Sequence, residues 1–171
     1  MNNIKNIRRI IFVDGHDINR APMAVAIMMD ELEKMHKTLP LEILSRGILV
    51  QFSEPLNQKA EAVMASNGIV INDFFSKKLD NGEITDKTLI LAVDEKRKDY
   101  ILDNYTSANS ENTFVLAYYV GEELETLNPY GEPLHTYGLC FEALRETGEK
   151  AHKSLEGKKK GEKKGRSYIM G

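Results

Sequence analysis

Short apolar runs alternate with longer segments of helical periodicity along most of this chain. The runs are 10–13, 41–44, 89–93 and 114–116. Each is short and mostly apolar, which is typical of parallel strands that are buried on both faces. The pattern therefore predicts four strands, each separated from the next by a polar or helical segment.

The segments between these runs predict helices. Pro22 suits a first helical turn, and Gly68 suits the position just past a helix end. The predicted helices are 20–37, 55–66, 94–105 and 134–155. Alternating strands and helices predict an α/β fold, in which a Rossmann-like, doubly wound sheet of four parallel strands has helices on both faces. Sites in such sheets lie beyond the carboxyl ends of the strands, which is where the loop 14–20 follows the first run.

The composition is that of an ordinary globular domain. The chain has 171 residues, of which 42% are apolar and 29% are charged. No run approaches the roughly 18 apolar residues of a membrane span, and the N-terminus lacks the apolar core of a signal peptide. We therefore expect a cytoplasmic protein. The single cysteine, Cys140, excludes an internal disulfide and a cysteine-rich metal site.

Charge is distributed unevenly along the chain. Residues 157–166 carry six of the 23 basic residues and one of the 26 acidic residues. This Gly/Lys-rich segment has no apolar periodicity, so we predict a domain over 1–156 and a basic, disordered tail over 157–171. The tail can act as a solubilising end or make a weak electrostatic contact with an anionic partner.

The tight loop between the first run and the first helix carries the main chemical signal. It runs from Asp14 to Arg20, and Pro22 follows. Further motifs, in chain order, are Ser45-Arg46-Gly47, Asn67-Gly68-Ile69 with Phe74, Ser76 and Leu79, and Asn128-Pro129-Tyr130-Gly131. Together and in this order, the motifs resemble those of the low-molecular-weight protein tyrosine phosphatase family over residues 8–150.

The resemblance implies a phosphate-binding loop with a catalytic cysteine. In the family, backbone N–H groups and an arginine hold the phosphate, a thiolate attacks it, and an aspartic acid protonates the leaving group. By position, Asp14 replaces the nucleophile, Arg20 is the phosphate-binding arginine, and Asn128 replaces the general acid. Further departures from the family pattern are His16, Asp17, Asn19, Ala21 and Phe74. The first of these, where family loops have glycine, is expected to reshape the phosphate cradle.

Two functions are compatible with these replacements. One is a pseudophosphatase with a regulatory or binding role through the remodelled loop. The other is a residual or altered phosphatase, acting on phosphotyrosine or a small phosphoester, that uses Asp14 or a metal-activated water. We predict no metal site, because Arg20 would project into the same volume and repel a cation. We also predict no cofactor. The predicted ligand-binding residues are Gly15, His16, Asp17, Ile18, Asn19, Arg20 and Tyr130.

The expected partner of such a loop is a phosphoprotein or a small anion, and the resemblance implies a monomer or a weak homodimer. Asp14 is itself predicted to fill the anion site, because a carboxylate is favoured at a helix start that faces N–H groups and Arg20. These contacts predict an ion pair with Arg20 and a lowered pKa for Asp14, while Asp17 is expected to be solvated. A phosphate would meet the carboxylate at a cost on the order of 4 kcal/mol for a like-charge pair about 4 Å apart. Tight phosphotyrosine binding is therefore not expected.

Overall fold

The computed structural model of the chain describes residues 6–35 and 41–162. Four parallel strands form one sheet, and they are β1 (Arg9–Asp14), β2 (Glu42–Gly47), β3 (Thr88–Ala92) and β4 (Thr113–Val115). Their order across the sheet is β2-β1-β3-β4. The strand order therefore reverses at β1, and this confirms the predicted doubly wound α/β fold.

Helices cover both faces of this sheet. They are α1 (Arg20–Lys34), α2 (Gln58–Ser66), α3 (Glu95–Asn104), α4 (Leu116–Tyr119) and α5 (Leu134–Glu162), with a 3-10 turn at Asn81–Glu83. Successive side chains of β1 point to opposite faces. Ile10 and Phe12 pack with α1, α2 and α5, whereas Ile11 and Val13 pack on the side of α3. The side chains of β3 are all buried as well, as predicted for a strand that is covered on both sides.

β2 is longer than predicted, and its end positions the loop after β1. The sequence predicts its end at residue 44, whereas the strand continues to Gly47, which pairs with Asp14. A Cβ on Gly47 would lie 2.8 Å from the carbonyl oxygen of Gly15 and 2.9 Å from the backbone nitrogen of Asp17. Glycine is therefore required for the end of β2 to lie this close to the loop.

Side-chain caps determine where two of the helices begin. α2 starts at Gln58 rather than at Pro55, because the side chain of Asn57 accepts hydrogen bonds from the N–H groups of Lys59 and Ala60 in the first turn. α3 starts one residue after Asp94, whose Oδ1 accepts a hydrogen bond from the backbone N–H of Arg97 at 2.9 Å. The second cap places the Asp94 carboxylate at the carboxyl edge of the sheet, beside the loop 14–20.

The later elements also differ in extent from the sequence prediction. β4 ends at Val115, and Leu116, predicted as strand, begins the short helix α4. α5 continues to Glu162, so residues 157–162 are helical although the sequence predicts disorder from 157. Lysine has a high helix propensity, and a helix that has already formed is easily extended. The rest of the predicted tail, 163–171, and the predicted end of α1 beyond residue 35 lie outside the described residues.

No helix in the described part of the chain is long and apolar enough to cross a membrane.

Candidate functional site

The loop 14–20 lies at the carboxyl end of β1, where the fold predicts a site. The segment after β2 holds it in place, since the N–H of Leu49 donates a hydrogen bond to the carbonyl oxygen of Gly15 at 2.7 Å. The backbone takes a left-handed conformation at Asp17, where φ is +57°. Aspartate is one of the few residues besides glycine that adopt this conformation readily. The sequence suggests backbone strain at His16, whereas the left-handed residue of the loop is Asp17.

The side chain of Asp14 fills the floor of the loop. It is only 3% exposed, and both of its carboxylate oxygens accept backbone hydrogen bonds. Oδ1 accepts from the N–H of Asp17, and Oδ2 accepts from the N–H of Ala21 at 2.8 Å. Asn19, the residue before α1, makes no capping hydrogen bond with its own side chain. Asp14 therefore supplies the acceptor at the start of this helix and uses two donors that would otherwise face a bound anion.

Arg20 does not form the predicted ion pair with Asp14. Its Nη2 donates to Oδ2 of Asp94 at 3.1 Å, and its Nη1 donates to the carbonyl oxygen of Thr126 at 3.0 Å. The guanidinium is buried between the start of α3 and the segment that precedes α5. Because both acceptors come from distant parts of the chain, this pairing could not be foreseen from the loop alone.

Both carboxyl groups of the loop have raised pKa values. Burial raises the pKa of Asp14, and this effect outweighs the hydrogen bonds it accepts and the charges of two nearby arginines. The predicted lowering is therefore wrong, because the burial of Asp14 costs its charged form more than these contacts return. Burial also raises the pKa of Asp17 to about 7, opposed by hydrogen bonds from Ser45 and from the backbone of Lys77. Asp17 is buried rather than solvated.

A pocket of about 70 Å³ opens above the loop and brings together eight of the nine predicted site residues. Asp17 is the exception, since its Oδ2 accepts a hydrogen bond from the N–H of Lys77 at 2.9 Å. Asn128 lies on the exposed rim, where its Oδ1 accepts a hydrogen bond from the N–H of Tyr130 at 3.2 Å. The ring of Tyr130 stacks on that of His16, with the ring centroids 6.2 Å apart.

Arg97 of α3 also lines this pocket, and it is absent from the predicted site. Its Nη1 donates to Oδ2 of Asp94 at 3.2 Å. Its guanidinium lies against Gly15, where a Cβ would come within 3.2 Å of Nη2. The sequence does show a charged helix after the third apolar run, but only the strand order places β3 beside β1 and so brings the start of α3 to the loop.

Most of the chain matches one known protein family. The model of the low molecular weight phosphotyrosine protein phosphatase family matches residues 9–161. The chain belongs to this family. A low-molecular-weight protein tyrosine phosphatase from T. tengcongensis is 26% identical, with a TM-score of 0.79, over 86% of this chain and 99% of that one. The YwlE arginine phosphatase from Geobacillus stearothermophilus is 25% identical, with a TM-score of 0.80, over 94% of this chain and 99% of that one. A search of curated proteins gives no match.

This member of the low-molecular-weight phosphatase family has no thiol in its loop. The single cysteine, Cys140, lies in α5, and burial raises its pKa to about 12, which makes it a poor nucleophile. Asn128 has no acidic proton to give to a leaving group. Among the described residues, no group of three or more His, Cys, Asp or Glu side chains could hold a metal ion. The arrangement is a small polar pocket that is lined by two arginines.

Proposed function

We propose that this chain is a pseudophosphatase of the low-molecular-weight phosphatase family, which binds a ligand or partner through the loop 14–20 and does not catalyse phosphoryl transfer. The observation that carries the proposal is the position of Asp14. Its carboxylate accepts hydrogen bonds from the N–H groups of Asp17 and Ala21. The loop thus directs towards its own side chain two of the donors that would stabilise a transferring phosphoryl group.

The replaced general acid supports the same function. Oδ1 of Asn128 is bonded to the backbone of Tyr130, and the amide nitrogen cannot act as an acid near neutral pH. Phosphoryl transfer in this family needs both attack on phosphorus and protonation of the leaving group. Because Asp14 and Asn128 replace the groups for both steps, the chain has lost more than one contribution to catalysis.

Residual hydrolysis by Asp14 or by a metal-activated water is the competing function. Attack by Asp14 would need an ionised oxygen that is free to approach phosphorus, but both oxygens accept hydrogen bonds and burial raises the pKa of the group. An aspartyl-phosphate mechanism also needs a divalent cation held by further carboxylates. Asp17, the other carboxylate of the loop, instead accepts a hydrogen bond from the backbone N–H of Lys77.

Hydrolysis assays separate these two functions. p-Nitrophenyl phosphate and phosphoarginine are the substrates of choice, since one structural relative is an arginine phosphatase. Each is tested with and without Mg²⁺, and we expect no turnover above the buffer blank. Turnover that disappears in Asp14→Ala would overturn the proposal in favour of the aspartyl mechanism. The double variant Asp14→Cys, Asn128→Asp is the positive control, and we expect it to gain activity if Arg20 still positions an oxyanion.

A further inference from the structure

Arg97 has hydrogen-bond donors that the protein itself does not use. Nη1 donates to Asp94, but no described residue accepts a hydrogen bond from Nε or Nη2. The side chain is only 18% exposed, and it lies at the wall of the pocket with Nη2 close to Gly15. A guanidinium presents parallel donors that match the oxygens of a carboxylate, sulfate or phosphate. An unused pair of such donors therefore borders the pocket.

The net charge around the pocket depends on Asp14. Arg20 and Arg97 are both cationic and share one carboxylate, that of Asp94. When Asp14 is ionised, the charges of these side chains cancel. When Asp14 is protonated, one positive charge is left over. Asp14 is buried at the pocket floor and has no ion pair among the described residues, so its charge would act on an incoming anion with little screening by solvent.

We propose that the pocket above the loop 14–20 binds a small oxyanion through Arg97, and that Asp14 takes up one proton from solvent as the anion enters. This inference rests on the proposed binding function and specifies its ligand class. A volume of about 70 Å³ holds about five waters at about 10–15 Å³ each, which is the size of one tetrahedral oxyanion. The same group can arrive as a free ion or at the end of a phosphorylated side chain.

Several other groups around Asp14 can carry charge and must be separated from it. They are His16 and Asp17 in the loop, Arg20 from α1, Asp94 and Arg97 at the start of α3, Tyr130 on the rim and Cys140 from α5. The two arginines stay charged near neutral pH, and the raised pKa of Cys140 keeps its thiol protonated. His16 and Asp17 are the groups that require matched variants.

Calorimetric titration of the full chain with sulfate tests the inference, since the charge of sulfate does not change near neutral pH. The titration is repeated from about pH 5 to about pH 9, in buffers of different ionisation enthalpy, to count the protons taken up. Where Asp14 is ionised in the free protein, we expect uptake of nearly one proton for each sulfate and a Kd that rises about tenfold with each pH unit. Below that range, the Kd should level off.

Variants assign the two roles. Asp14→Asn should lose the uptake of nearly one proton and bind sulfate with a Kd that varies by much less than tenfold with each pH unit, while His16→Gln and Asp17→Asn should keep the uptake. Arg97→Gln should weaken binding about tenfold or more at every pH. Lys98→Gln is its matched control, because it removes the same charge from the next residue of α3, where Lys98 pairs with Glu95 outside the pocket. We expect it to change the Kd by less than about twofold.

Each outcome bears on the inference. Sulfate binding without proton uptake at any pH, or binding that Arg97→Gln leaves unchanged, would overturn it, and so would a lack of sulfate binding to both wild type and Asp14→Asn. None of these binding results shows whether the protein hydrolyses phosphoesters, so the hydrolysis assays test the pseudophosphatase proposal separately. If Asp14→Asn does not fold, proton uptake by the wild type and by the other variants still tests the inference. A parallel titration with phenyl sulfate distinguishes a free ion, bound equally well, from an anion on an aromatic side chain, bound more tightly.

Discussion

Replacement of Asp17 by asparagine should stabilise the folded protein above about pH 7. Asp17 is buried, has a φ of +57° and accepts a hydrogen bond from the backbone of Lys77 at 2.9 Å. Asparagine adopts the same left-handed conformation and offers the same kind of acceptor oxygen. The substitution therefore keeps the local contacts and removes only the cost of burying a charged carboxylate.

The size of this effect follows from the two pKa values of Asp17. The pKa is about 7 in the folded protein, against a reference value of 3.8. Between these values, the folded chain holds a proton that the unfolded chain has released, so the free energy of unfolding falls as the pH rises through the window. At about 1.4 kcal/mol for each pH unit, the ionised carboxylate costs about 4 kcal/mol once the window is passed. The asparagine variant should recover most of this.

Urea unfolding followed by circular dichroism, from about pH 4.5 to about pH 8.5, measures the difference. We expect wild type and Asp17→Asn to be similarly stable at the acidic end and to diverge by several kcal/mol at the alkaline end. Asp73→Asn is the matched control, since Asp73 also has a left-handed φ of +54° but is exposed. It should stay within about 0.5 kcal/mol of wild type. If Asp17→Asn loses stability with rising pH as steeply as wild type, the reasoning about this carboxyl is refuted.

Three other substitutions or treatments have defined expected results. Gly47→Ala should lower the free energy of unfolding by at least about 2 kcal/mol, because its Cβ would lie 2.8 Å from the carbonyl oxygen of Gly15. Gly138→Ala in α5 is the control, since its Cβ would meet nothing within 4 Å. This substitution should raise the free energy of unfolding by about 0.5–1 kcal/mol. Cys140 should react with a thiol reagent such as dithiobis-nitrobenzoate only after unfolding, since it is buried with a pKa of about 12, and rapid labelling of the native protein would contradict this. Deletion of 157–171 should shift the Tm by less than about 2 °C in calorimetry, and a larger drop would show that this segment docks on the body.

The order of strands and helices could be predicted because the spacing of apolar residues directly indicates which positions are buried. β1 and β3 are continuous apolar runs, and the structure does cover both of their faces. The exact starts of α2 and α3 could not be predicted in the same way, because single capping side chains, those of Asn57 and Asp94, determine them. α4 has only four residues, too few to show a helical period.

The candidate site could be located from the sequence, but its internal contacts could not. A strand followed by a tight loop and a helix places Asp14 and Arg20 at one edge of the sheet. The actual partners of Arg20, however, are Asp94 and Thr126, which lie 74 and 106 positions further along the chain. A local sequence pattern does not predict contacts of this kind. For the same reason, the sequence does not predict that Arg97 lines the pocket. The burial of Asp14, which determines the direction of its pKa shift, likewise exists only once the loop is packed.

Asp94 serves three groups at once, namely the first turn of α3, Arg20 and Arg97. A single carboxylate carries a single charge, so the two guanidinium groups compete for it. A ligand that draws Arg97 away would leave that charge to Arg20 alone, and a displacement of Arg20 would have the reverse effect. The wall of the pocket and the buried interior are thus coupled electrostatically through Arg97, Asp94 and Arg20. A ligand that binds Arg97 at the pocket would then change the electrostatic environment of the buried Arg20.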